Sequence, residues 1–128
     1  MTALGKSVLI VEDEYLIAMG LSAQIEDMGL EVCATADTAE GAVAQARVHR
    51  PAVILMDVRL RGERDGVDAA QAIYDAVGSK IIFITGSREQ KTIERIGQDH
   101  PFATLFKPVS DRQLQTTVSE AMLAAGQA

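Results

Sequence analysis

Four short runs of almost unbroken apolar residues, SVLIV at 7–11, AVILM at 52–56, KIIFI at 80–84 and FATLF at 102–106, restrict what this chain can become. A strand with one wet face alternates apolar and polar side chains, whereas a strand covered on both faces reads as a near-continuous apolar run. A fifth, weaker block, EVCAT, stands at 31–35. Between the blocks the period becomes helical. Leu16/Ile17, Leu21, Ile25 and Met28 make one apolar stripe, with Gly29 where a helix end needs positive φ. Ala39, Val43 and Ala46 make a second, behind Asp37 as cap and Glu40 at the N3 position. Val67, Ala70, Ile73/Tyr74 and Val77 follow the cap Asp65, and Leu114, Val118 and Ala121/Met122 follow Ser110 with Gln113 three residues on.

Strand and helix therefore alternate five times. That order predicts an α/β fold: a mostly parallel sheet with right-handed crossovers and helices on both faces. In such folds ligands bind outside the carboxyl ends of the strands. The fourth helix, predicted over 88–98, is the exception, since Ile93 and Ile96 are its only strong apolar residues although Ser87 and Gln90 mark a start. It is expected at the low-stability end of the structure.

Composition narrows the partners. The 128 residues, 48% of them hydrophobic, can bury one substantial core but hardly two. A formal charge of −6 lacks the clustered Lys and Arg that a nucleic-acid backbone demands, so no nucleic acid is expected. Cys33 is the single cysteine, so no intramolecular disulfide is available. The start MTALGKSV lacks the features of a signal peptide, and no apolar stretch reaches membrane-spanning length. A soluble, cytoplasmic protein without a membrane partner is the expectation, and the tail AAGQA is expected to fray.

The predicted strand ends deliver an unusual set of side chains. The first strand ends in Glu12 and Asp13, the third in Asp57, the fourth in Thr85 and the fifth in Lys107. Like charges at one edge repel and raise each other's pKa unless something positive sits among them. Carboxylates of this kind make an oxygen-rich site for a hard divalent cation, and Mg²⁺ typically takes one or two of them while keeping waters and a substrate phosphate. Beside a cation and an ammonium, Asp57 would be held ionised and poised as a nucleophile toward phosphorus. The Lys107 ammonium would neutralise phosphoryl charge, and the Thr85 hydroxyl would donate to one of its oxygens.

VLIVEDE, VILMDVRL, DGVDAA, IIFITG and LFKPVS, in that order and over residues 7 to about 123, together resemble the receiver domain of two-component response regulators. The resemblance implies a single-domain, stand-alone receiver over 1–128 with no output domain. The fold implied is a three-layer, doubly wound, flavodoxin-like (βα)5 arrangement with its five-stranded parallel sheet in the order 2-1-3-4-5. It implies that Asp57 accepts a phosphoryl group from a histidine kinase or histidine phosphotransferase. Glu12 and Asp13 match the acidic pair that holds Mg²⁺, Arg59 supplies a backbone carbonyl to the metal, and Thr85 and Lys107 match the switch hydroxyl and the phosphate-pairing lysine. Lys107-Pro108 matches a cis peptide of the family. Output would pass to an unknown downstream protein through the fourth and fifth helices and the last strand, or the chain would serve as a phosphate shuttle or sink; a weak homodimer is left open. FITG and PFATLFKP are also similar to alphaproteobacterial single-domain receivers with atypical switch residues.

Two positions depart from the family pattern. Thr104 stands where the usual switch aromatic would be, three residues before the lysine, and by alternation Phe102 and Phe106 point to the same side as Thr104. The first acid is Glu12 rather than Asp, a longer arm that would reach Mg²⁺ through water. Two other functions compete: a Mg²⁺-dependent phosphohydrolase working through an aspartyl-phosphate, and a receiver that has lost phosphorylation and serves as a scaffold. The first would need a second acid, and the residue two after Asp57 is Arg59.

Plain structural roles suffice for other residues. Glu14 reads as a helix-start acid, Cys33 as a small core residue, and His49 and His100 as solvated loop residues. Arg59, Arg61 and Arg64 either dock an acidic partner or keep a long loop soluble.

Overall fold

The structure is a computed structural model that describes residues 4–126. In chain order the elements are β1 (Ser7–Val11), α1 (Tyr15–Asp27), β2 (Glu31–Ala36), α2 (Ala39–His49), β3 (Val53–Asp57), α3 (Gly66–Ala76), β4 (Lys80–Thr85), α4 (Gln90–Gly97), β5 (Ala103–Phe106) and α5 (Asp111–Gly126). All strand pairs are parallel, in the order β2-β1-β3-β4-β5. The continuous apolar runs are continuous for the expected reason: every residue of β1 and β3 is buried. Alternate residues divide between two cores. Leu9, Val11, Ile54, Met56, Ile81 and Phe83 pack against α2 and α3, with Ile96 from α4. Val8, Ile10, Val53, Leu55, Ile82, Ile84 and Leu105 pack against α1 and α5.

Local signals decide the element ends. Gly29 takes φ +82 after α1, as its position required. Asp65 caps α3 by accepting from the Val67 and Asp68 N–H groups, and Asp68 returns a bond to the Asp65 N–H, which completes a capping box. Ser110 accepts from the Gln113 N–H at 3.1 Å at the start of α5.

Two predicted caps are corrected. Thr38, not Asp37, caps α2 by accepting from the Gly41 N–H, while Asp37 meets Arg61 at 4.0 Å on the surface. Glu89, not Ser87, occupies the cap position of α4 and makes no side-chain cap bond there. The reason in both cases is a helix that begins one or two residues later than the expected cap implies. His49 ends α2 rather than lying in a loop, and α5 runs on through Ala124, Ala125 and Gly126 instead of fraying; the last two residues of the expected loose tail lie outside the described residues. Cys33 falls at the register shift between β1 and β2 and packs half-buried on the α2 side of the sheet. No helix among the described residues is long and apolar enough to cross a membrane.

Candidate functional site

The carboxyl ends of β1, β3, β4 and β5 meet at one cavity of about 660 Å³ lined by Glu12, Asp13, Glu14, Asp57, Arg59, Gly86, Ser87, Arg88, Glu89 and Lys107. Glu12, Asp13 and Asp57 each turn one carboxylate oxygen into it, all within 4.8 Å of one another. Lys107 reaches in from the end of β5, its Nζ lying 3.5 Å from Glu12 Oε1 and 3.7 Å from Asp57 Oδ1. Five side chains far apart in sequence were expected at this edge; four share these contacts. The fifth, Thr85, is buried at the end of β4 beside them, and its hydroxyl accepts from the Ser87 N–H at 3.0 Å. Arg59 lines the cavity, and its backbone N–H donates to Asp57.

Burial sets the electrostatics. Glu12 is 5% exposed and Asp57 7%. Removal from water pushes the Glu12 carboxyl up to about 7, helped by its hydrogen bond to Asp57 and by the Asp57 charge; the Glu14 N–H and the Lys107 ammonium act against that. The Asp57 carboxyl is also raised, first by burial and further by Asp13, while the bond from Glu12, the Lys107 charge and the Arg59 N–H pull the other way. One ammonium does not balance three carboxylates at this range. The donor set, hard oxygens only and short of positive charge, fits a divalent cation such as Mg²⁺.

The loop between β3 and α3 is held by a contact that sequence reasoning passed over. Gly66 donates its N–H to the Val58 carbonyl at 2.7 Å, and a Cβ built on Gly66 would stand 2.0 Å from the Asp57 carbonyl oxygen. Only glycine lets the start of α3 close onto the backbone of Asp57. The DG pair at 65–66 was the available signal, a cap followed by a residue without a side chain. Arg88 was also missed. It lies outside any apolar stripe, and its guanidinium sits 4.4 Å above the Phe106 ring. Lys107-Pro108 is cis, as the resemblance implied.

Thr104 carries no ring to serve as a switch. In register, Thr104 pairs with Phe83 and Phe106 with Thr85, so Phe106 stands beside the buried hydroxyl on one face of the sheet. Phe102 departs from the expected side: it precedes β5 and packs with the α1 and α5 core.

Comparison with known proteins leads to the same family. Residues 8–119 match the response regulator receiver domain. The chain is 35% identical over 108 residues to the transcriptional regulatory protein PdtaR of Mycobacterium tuberculosis, covering 84% of this chain and 52% of that protein. It is 35% identical over 117 residues to the phyllosphere-induced regulator PhyR of Methylorubrum extorquens, covering 90% and 43%. It thus spans about half the length of these curated relatives. Among solved structures, the signal receiver domain of a modulated diguanylate cyclase from Desulfovibrio desulfuricans superposes with TM-score 0.88 at 36% identity, covering 94% of this chain and 96% of that one. The receiver domain of Erythrobacter litoralis PhyR superposes with TM-score 0.81 at 28% identity, covering 94% and 92%. With the strand order, the acidic cluster and the lysine in agreement, this chain belongs to the response regulator receiver domains of two-component signalling.

Proposed function

We propose that this chain is a phosphorylation-controlled signalling module in which Asp57 takes a phosphoryl group from the phosphohistidine of a histidine kinase or phosphotransferase. The observation that carries the reading is the Asp57 carboxylate at the floor of the cavity, with an ammonium 3.7 Å away and two further acids within cation-sharing distance. An Asp57 oxygen bonds to phosphorus as the phosphorus–nitrogen bond of the donor breaks, and the departing imidazole takes a proton. Lys107 pairs the phosphoryl oxygens, and the Thr85 hydroxyl donates to one of them.

Glu12, Asp13 and Asp57 are the side chains that would hold Mg²⁺, with the Arg59 carbonyl as the family's further ligand. When bound, the ion neutralises charge on the carboxylates and on the transferring group. With Glu12 pushed up to about 7, metal affinity should fall as pH drops below that value, because a ligand carboxylate must be ionised. Readout passes by binding to a downstream protein, or the chain carries phosphate between partners. A phosphohydrolase is less well supported, since Arg59 and not an acid stands two places beyond Asp57.

Incubation with Mg²⁺ and acetyl phosphate should add one phosphoryl group by intact-mass measurement. Chelation or Asp57→Asn should abolish the gain. Continued labelling of the Asn variant would refute the assignment.

A further inference from the structure

We propose that Arg88 is a third cation of the phosphoryl site, parked on the Phe106 ring while Asp57 is unmodified and transferred to the phosphoryl oxygens once Asp57 is loaded. The inference rests on the reading of Asp57 as acceptor and adds a residue to that site.

Lys107 is engaged with Glu12 and Asp57, Arg61 with Asp37, and Arg95 with Asp65 and Asp68. Among the described residues, Arg88 lies against a ring instead of a carboxylate, 4.4 Å from its centroid, while lining the same cavity as Asp57. The cavity wall carries five acids, Glu12, Asp13, Glu14, Asp57 and Glu89, against three bases, Arg59, Arg88 and Lys107. Arg88 is exposed, so its hold on the ring is a weak one.

A phosphoryl group on Asp57 changes the competition. It adds roughly one negative charge and three strong acceptor oxygens, in the geometry that a planar guanidinium pairs two at a time. A charge-assisted fork outweighs an exposed cation–ring contact, so the equilibrium moves toward the cavity.

The seat that Arg88 leaves matters as much as its destination. Phe106 is the register partner of Thr85, and the Lys107 N–H donates to the Thr85 carbonyl at 2.9 Å. Residues 86–89, which carry Arg88, lead directly into α4. They are fastened by two local bonds, Ser87 N–H to Thr85 Oγ1 at 3.0 Å and Glu89 N–H to Ser87 Oγ at 3.2 Å. Movement of Arg88 uncovers Phe106 and draws on the start of α4. A chain with Thr104 at the usual aromatic position thereby keeps an aromatic response, one residue before the lysine instead of three.

The test uses the full chain with Mg²⁺ and beryllofluoride, followed by heteronuclear NMR. On loading, the Arg88 Nε–H signal should leave the ring-current field of Phe106 and become protected from exchange, with the Phe106 ring signals shifting in step. Arg88→Ala should weaken beryllofluoride affinity about tenfold, and Arg88→Lys should recover part of it. Loading at Asp57 with Arg88 and Phe106 signals unmoved, or an unchanged affinity in Arg88→Ala, would overturn the role of Arg88 while leaving the acceptor intact. Failure of the wild-type chain to load would overturn both.

Discussion

Helices α3 and α4 each follow a loop that lines the same cavity, and they are fastened to the fold in opposite ways. α3 begins with a capping box, buries Gly66, Val67, Ala69, Ala70 and Ile73, and presses its first residue against the Asp57 backbone. α4 has eight residues, no side-chain cap and one buried residue, Ile96. Its outward hold on α3 is a fork from Arg95 to Asp65, at 2.7 and 3.1 Å, with Asp68 at 3.4 Å. One helix is built to hold the acceptor still, and the other is held loosely enough to answer a change of charge. The contrast teaches that rigidity here is assigned by burial and capping, residue by residue.

The sharpest way to break the contrast is Gly66→Ala. The added methyl would stand 2.0 Å from the Asp57 oxygen, so backbone must move. A loss of about 3 kcal/mol or more is expected in denaturant unfolding. Phosphorylation should slow by about a hundredfold even in the folded fraction, because the displaced carboxylate no longer meets its donor in line. Normal labelling by a stable variant would show that α3 does not position the acceptor.

Asp65 joins the two helices, since one carboxylate caps α3 and receives the Arg95 fork. Burial works against its charge, but the bonds from Arg95 and from the Asp68 backbone hold its pKa below the usual carboxylate range. A depressed folded pKa means stabilisation that is present above the unfolded value near 4 and is lost as pH falls through the folded one. Asp65→Ala should cost about 2 kcal/mol near pH 7, of which the cap is the larger share because the pair is partly exposed. The deficit should shrink toward pH 2. Asp65→Asn keeps the cap and weakens the fork, so hydrogen exchange in that variant should quicken in α4 and stay slow in α3. Equal acceleration in both helices would mean that they open as one unit.

The smallest effect concerns Asp99, which follows α4 and faces α3 across a small cavity with Val67, Asp68, Gln71, Arg95 and Gln98. It is 5% exposed, and its Oδ2 has no hydrogen-bond partner. Burial pushes its carboxyl up to about 6, with Asp75 and Asp68 adding and His100 and Arg95 opposing. A raised folded pKa in an acid makes the unfolded state release its proton first, so stability is lost as pH rises from about 4 to 6 and does not return above. Asp99→Asn should therefore stabilise by about 1–2 kcal/mol at pH 8 and by nothing at pH 4. A thermal melt that gains equally at both pH values would place the benefit in packing instead.

Much of this is legible in the amino-acid sequence alone. The strand blocks at 7–11 and 80–84 fall within a residue of the observed bounds, because continuous apolar runs have few other places to go. Asp65 and Ser110 were recognisable as caps from their spacing. Thr38 was not, because Asp37 before it offers the same chemistry one position earlier and only the backbone path decides between them. Gly66 and Arg88 escaped for a related reason. Their importance lies in what stands opposite, an Asp57 carbonyl and a Phe106 ring, each from a distant part of the chain.

The amino-acid order by itself determined the alternation of strand and helix, the two-sided burial of the sheet and the acids, hydroxyl and lysine at its strand ends, since these follow from local period and from termini that must end in polar residues. Tertiary structure alone decided how close those groups come, which carboxyls lose their water, and which cation is left on a ring. Distance and desolvation are properties of the folded neighbourhood, and a pKa or an ion pair exists only once both partners share it.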